Sequence, residues 1–194
     1  MLLRGHSALG DQIEGVLADR EDVTVCRDPD PALEGVRIAV SAGYWHRVSR
    51  ETLAQIPVIN CHPGYLPWNR GTDPNVWPIV DGSPAGVTLH WMDAGLDTGP
   101  IIARQRVAVE PWDTAGTLGH RLDAAMVALF ARWWPIIRTG QGPRIPQPHG
   151  GSYHRRADLA TLEPDPEALR LLRARSYPGY GVLIGGKRLR LEVE

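Results

Sequence analysis

The run Val58-Ile59-Asn60-Cys61-His62 is the segment that most limits how this chain can fold. It is short, apolar at its start and stopped by Pro63, so it reads as a strand. Side chains alternate along a strand, which puts Asn60 and His62 on one face and Cys61 on the other. Residues 63–74 then hold three prolines and two glycines, a loop too elaborate for a simple connection. Polar side chains at the C-terminal end of a strand, followed by such a loop, match the edge where open α/β sheets bind ligands.

The flanking segments predict that sheet. Val23 to Cys26 and Arg37 to Ser41 are short strand candidates. Ser7 can cap a helix in which Leu9, Ile13 and Leu17 recur at i, i+4 and i+8. Ser49 can cap a shorter one running to Ile56, where Pro57 stops it. This strand–helix rhythm argues an α/β fold with an open, mostly parallel sheet. Beyond the loop, Gly86 to Met92 and Ile101 to Val109 read as strands around the turn-rich stretch Asp93 to Gly99. Thr114 opens a long helix carrying Leu118, Leu122, Met126, Leu129 and Trp133 at helical spacing, and Gly140 can end it. Trp133 and Trp134 read as core or interface residues. Residues 141–151 form a Pro/Gly linker. After it, Pro166 to Arg175 reads as a basic helix. Residues 180–194 read as a β-hairpin turning at Gly185-Gly186.

Charge and cysteines narrow the function classes. The chain has 194 residues, 21 Lys plus Arg against 22 Asp plus Glu, and a net charge of -1. That disfavours a protein living on nucleic-acid phosphate contacts. Cys26 and Cys61 cannot build a zinc site or a disulfide framework, and a reducing, cytoplasmic setting fits them. The opening residues carry no apolar run of signal-peptide or membrane-span length.

Asn60, His62 and Asp97 make the strongest chemical constellation. Asp97 lies in a Gly-bounded loop that can fold back over the strand edge. An amide, an imidazole and a carboxylate at one point suit acyl transfer: the amide donates to an oxyanion, the imidazole handles a proton, and the carboxylate orients it. Blander readings stand beside this one. Asn60 can satisfy backbone groups at a strand end, and Asp97-Thr98-Gly99 is also a turn sequence. A Cys61–His62 dyad is excluded by strand alternation, so Cys61 reads as a core residue. His90 reads as a structural strand residue. No cluster has metal-ligand spacing, so no metal is expected.

The stretch from Asn60 to Gly71, Asn-Cys-His-Pro-Gly-Tyr-Leu-Pro-Trp-Asn-Arg-Gly, resembles the Asn-x-His-Pro-Ser-Leu-Leu-Pro signature of folate-dependent formyltransferases. Gly86 to Asp93 and Leu96 to Gly99 are similar to that family's second signature. The resemblance covers about residues 36–140. It implies a Rossmann-like formyltransferase domain, and the linker at 141–151 bounds that domain at 1–140 and leaves a small C-terminal α+β appendage over 152–194. It implies 10-formyltetrahydrofolate as cosubstrate, and Asn60, His62 and Asp97 as catalytic residues. The pterin is expected against Trp45, His46 and Val48 on one side and Met92, Asp93 and Leu96 on the other.

Residues 66–74 and the tail resemble sugar N-formyltransferases, and residues 66–74 also the formylation domains of peptide synthetases. The acceptor implied is a primary amine on a nucleotide-linked sugar, with an aminoacyl group, another small amine, plain hydrolysis of the donor, or a non-catalytic folate-binding module as alternatives. Trp68 is a candidate aromatic wall for the acceptor, with a loop anchor as the alternative, and Arg70 a candidate diphosphate partner, with an ion pair to Asp73 or a bond to the loop backbone as the alternative. The hairpin must pack on something, either its own catalytic domain or a second copy; the Pro/Gly linker and the resemblance to sugar N-formyltransferases favour a homodimer through it. Gly64 departs from the pattern by standing where the family has Ser, and a local rearrangement is expected there.

Overall fold

The computed structural model describes residues 1–18, 23–29, 31–162, 165–166, 182–184 and 186–189. Strand β1 (Leu2–Arg4) leads into α1 (Ala8–Ala18), where Leu9, Ile13 and Leu17 form the buried stripe and the Ser7 hydroxyl accepts from the Gly10 N–H. Next come β2 (Val25–Cys26), β3 (Ala39–Ala42) and α2 (Arg50–Gln55). Ser49 caps α2 by accepting from the Thr52 N–H, and so fixes where β4 (Val58–His62) begins. The loop after β4 contains β5 (Arg70–Gly71) and α3 (Trp77–Asp81). Strands β6 (Gly86–Trp91) and β7 (Ile101–Arg106) follow, then α4 (Ala115–Ile137), opened by a capping box at Thr114.

Six strands form one sheet in the order β2-β1-β3-β4-β6-β7. The first four pair in parallel, while β6 runs antiparallel to β4 and β7 antiparallel to β6. The mostly parallel α/β sheet expected from the sequence is therefore present. Its larger core contains Ile59, Cys61, Val87, Leu89 and Trp91 with Leu118, Leu122, Met126 and Phe130 of α4. Trp134 is buried in that core, with its ring 5.3 Å from Phe130, and Trp133 packs against it. A second cluster joins Leu3, Ala39, Val48, Ile56 and Val58, with Leu53 and Met92 packed on it.

The stretch 141–151 is bonded to the sheet edge. Ile145 bridges Ile101, and the Trp91 indole N–H donates to Pro143 O at 2.8 Å. Strand β8 (Tyr153–His154) then pairs in parallel with β5, and α5 (Arg156–Leu159) follows. The His154 ring stacks on Trp77 at 3.8 Å. Farther on, β9 (Val182–Ile184) and β10 (Lys187–Leu189) pair antiparallel with Ile184 opposite Lys187, and Gly186 just before β10 takes φ +78°. The rest of the expected hairpin and the basic helix lie outside the described residues. No helix among those described is long and apolar enough to cross a membrane.

Candidate active site

Strand alternation places the first two polar groups. Ile59 and Cys61 are in the larger core, and burial pushes the Cys61 thiol pKa up, which keeps it a thiol. Val58, Asn60 and His62 share the opposite face. The antiparallel partner supplies a third group, because Asn60 stands opposite His90. Sequence reasoning gave His90 no chemical role. The signal was the alternation in β6, where Val87, Leu89 and Trp91 are core and Thr88 and His90 are buried polar residues.

The loop after β6 carries Asp97 back over this face, with Asp97 itself at φ +53°. Its Oδ1 accepts from Asn60 Nδ2 at 3.1 Å, and its Oδ2 accepts from the Gly71 N–H at 2.9 Å. His62 Nδ1 lies 3.7 Å from Oδ2, and His90 Nε2 lies 3.5 Å from Oδ1. The structure thus brings Asn60, His62 and Asp97 together.

Each histidine has its other ring nitrogen on a backbone carbonyl. His62 Nε2 is 2.8 Å from Asn69 O, and His90 Nδ1 is 3.0 Å from Trp91 O. A carbonyl only accepts, so the ring nitrogen that meets it carries a proton there. The other two ring nitrogens, His62 Nδ1 and His90 Nε2, face the Asp97 carboxylate, and Asn60 Nδ2 also lies 3.3 Å from His90 Nε2. Burial is the larger influence on His62 and lowers its pKa, with Asp97 pulling the other way, so the ring is neutral at neutral pH. Burial works against the charge on Asp97, but His62, His90 and the Gly71 N–H outweigh it and hold the carboxyl well below the usual carboxylate range. A neutral base beside a fixed carboxylate is arranged to take up one proton.

Asp97 is also held from behind. Gln147 Nε2 donates to Asp97 O and Gly99 O, both at 2.8 Å. Its Oε1 accepts from Arg70 Nε at 3.2 Å and Nη2 at 2.9 Å. Arg70 is therefore engaged with Gln147, and the alternative pair with Asp73 does not form, because Asp73 faces Arg156 at 3.4 Å. Gln147→Ala should strip two carbonyls of a donor and Arg70 of an acceptor. Its expected cost is about 1–3 kcal/mol, or several degrees in unfolding midpoint for a domain of this size. Calorimetry showing an unchanged midpoint would contradict the role given to Gln147.

The other expected site residues fall around this centre. Trp45 is 69% exposed and lies over Gly5, where a Cβ would meet its ring. His46 is exposed, edge-on to Tyr44 at 5.3 Å. Val48 is buried in the second cluster. The Met92 N–H donates to Val58 O at 2.7 Å. Asp93 Oδ1 accepts from the Gly95 N–H and the Thr98 hydroxyl, and Leu96 is half exposed. Arg47 joins the two expected pterin walls by donating to Ala94 O at 3.0 Å. A pocket of about 270 Å³ is lined by Leu53, Ile56, Val58 and Met92, among others. Trp68 is exposed, with its N–H on Tyr65 O.

A family model described as formyl transferase matches residues 31–132, just over half of the chain. The chain belongs to the formyl transferase family. It is similar to the formyltransferase PseJ from Anoxybacillus kamchatkensis, at 37% identity over 92% of both chains with a TM-score of 0.72; that structure is a complex with UDP-4,6-dideoxy-4-formamido-L-AltNAc and tetrahydrofolate. It is 44% identical to dTDP-4-amino-4,6-dideoxyglucose formyltransferase of Mycobacterium bovis over 82 residues, which are 42% of this chain and 35% of the relative. It is 33% identical to methionyl-tRNA formyltransferase of Myxococcus xanthus over 75% of this chain and 50% of the relative. The chain thus spans between a third and a half of the length of these two curated relatives.

Proposed function

We propose that this chain transfers a formyl group from 10-formyltetrahydrofolate to the primary amine of a nucleotide-linked amino sugar. The observation that carries the reading is the convergence of Asn60, His62 and Asp97 on one face of β4, with one ring nitrogen each of His62 and His90 within 3.7 Å of the carboxylate. The sugar acceptor is supported by the likeness to PseJ, whose complex holds a formamido sugar nucleotide and tetrahydrofolate.

The residues present fit the proposed donor. Val58, Asn60 and His62 follow one another along one strand face, roughly 7 Å apart at each step. Val58 lines the 270 Å³ pocket, whose wall is apolar at Leu53, Ile56 and Met92. An elongated donor on this face would have its flat heterocycle at Val58 and its formyl group at Asn60 and His62. Backbone groups of 45–48 and 92–97 would hold the heterocycle's edge.

The donor supplies the formyl carbon, and attack by a neutral amine puts negative charge on the formyl oxygen and one proton too many on the attacking nitrogen. Asn60 Nδ2 turns an N–H from its present partners toward that oxygen. His62 takes the amine proton on Nδ1, and the imidazolium formed lies between the Asp97 carboxylate and Asn69 O. The same Nδ1 then returns the proton to N10 as the N10–formyl bond breaks, which leaves His62 neutral again. Asp97 lowers the energy of the charged ring throughout, and His90 offers it a second contact. Trp68, exposed beside Asn69, is the proposed wall for the acceptor. An acceptor phosphate reaching Arg70 would compete with Gln147.

The decisive experiment is a screen of amines with 10-formyltetrahydrofolate, covering nucleotide-linked amino sugars, amino acids and carrier-bound aminoacyl groups. Formylation of an amino-sugar nucleotide is the expected result. Formate release without any amine would instead identify a hydrolase. The acid limb of kcat/KM for the donor, at saturating acceptor, should lie below pH 6.5, because His62 must be neutral to act and its pKa is lowered from 6.5. Activity is thus level at neutral pH and lost as pH falls through the His62 value; a limb above 6.5 would speak against His62 as the base.

We also propose a homodimer through the hairpin of β9 and β10. Lys187 at its turn lies 4.8 Å over the Trp112 ring of the same chain, so a second copy would meet the strands rather than the turn. Sedimentation should give twice the monomer mass, and a monomer at high concentration would remove this proposal.

A further inference from the structure

We infer that Gly64 is a positioning residue for His62: the space left by its missing side chain seats the imidazole ring with Nε2 on Asn69 O and Nδ1 toward Asp97. A Cβ on residue 64 would lie 2.5 Å from His62 Nε2 and 2.9 Å from its Cδ2. Real side chains do not approach that closely, so either the backbone or the ring must yield. The backbone is tied on both sides of the gap. Gly64 O accepts from the Thr88 hydroxyl at 2.7 Å, and that hydroxyl oxygen accepts from the Leu66 N–H at 3.1 Å. Thr88 is fully buried.

Asn69, the other wall of the gap, is equally fixed. It is fully buried at φ +59°. Its N–H donates to Ser152 Oγ at 2.9 Å, its Nδ2 donates to Pro84 O at 3.3 Å, and its Oδ1 accepts from Ser83 Oγ and Ser152 Oγ. The ring is the part left to move. Moving it costs the bond to Asn69 O, and with it the proton placement that leaves Nδ1 bare toward Asp97. The departure from Ser at this position does not loosen the backbone.

This rests on His62 being the proton acceptor of the proposed reaction, so the test separates ring seating from activity. The first readout is the imidazole 15N–1H spectrum of the parent protein, which should report His62 as the Nε2-protonated tautomer. An Nδ1-protonated ring overturns the proposal whatever the activity. The second is a cycle of Gly64→Ala, His62→Ala and the pair. Alone, Gly64→Ala should lower kcat by 10- to 100-fold with KM for the donor within twofold. In the His62→Ala background it should change kcat by less than fivefold, because the two shortest contacts of the methyl are gone and Asn69 O, at 3.0 Å, is what it still meets. An equal effect in both backgrounds, or a single variant within threefold of the parent, refutes positioning. If Gly64→Ala fails to fold, the double variant should be the more stable of the two, since His62→Ala removes the two shortest contacts and leaves Asn69 O at 3.0 Å; a double variant no more stable than the single one refutes it. Loss of the reaction in the parent with every amine would count against the function while leaving the spectrum and the folding cycle to judge Gly64.

Discussion

Asp97→Asn is expected to lower kcat about 10³-fold, within the range for losing an acid–base element, while the protein stays folded and binds donor as before. Folding survives because Asn, like Asp, tolerates the left-handed backbone that residue 97 adopts at φ +53°. The Asn carbonyl oxygen can still accept from Gly71 or Asn60. What goes is the charge. In the parent, a proton arriving on His62 Nδ1 lies beside a carboxylate 3.7 Å away, in a site where the carboxylate is only 10% exposed. An Asn amide placed there instead offers an N–H to the bare nitrogen. That stabilises the neutral ring, opposes proton uptake and spares the ground state. The measurement is kcat with titrated donor affinity and unfolding midpoint on the same preparation. A kcat within threefold of the parent would remove Asp97 from the mechanism.

The parts of this site that were legible in the sequence are those with a local period. Asn60 and His62 announce themselves because a strand repeats every two residues, and Ser7, Ser49 and Thr114 announce helix starts because capping is decided within three residues. The pairing of β4 with β6 is a matter of register between segments about 30 residues apart, so His90 opposite Asn60 was invisible as chemistry. Gln147 was hidden for another reason. It sits in a Pro/Gly-rich stretch with no periodicity, which reads as a linker, yet its amide is the strut behind Asp97. The two-residue strands β5 and β8 are too short to leave a pattern at all, although their pairing sets Gly71 where its N–H meets Asp97. Arg70 was noticed for its charge, and its charge is spent on Gln147.

His62→Gln and His62→Ala should both lose activity by about 10²- to 10⁴-fold, the range for a lost general base, but only the alanine variant should lose stability. The reason is Asn69 O. In the parent it accepts from His62 Nε2 at 2.8 Å in a buried setting. Alanine leaves that carbonyl without a donor, at an expected cost of roughly 1–3 kcal/mol. Glutamine carries an amide N–H on a chain long enough to serve the same carbonyl, but it has no basic nitrogen to take the amine proton. The pair therefore splits structure from chemistry at one position. Combining His62→Gln with Asp97→Asn should cost little more than either change alone, because the carboxylate's contribution is to the charged ring, and a site that cannot form that ring has nothing for it to stabilise. Full additivity of the two losses would mean that His62 and Asp97 act in separate steps, and the shared proton on His62 Nδ1 would have to be abandoned.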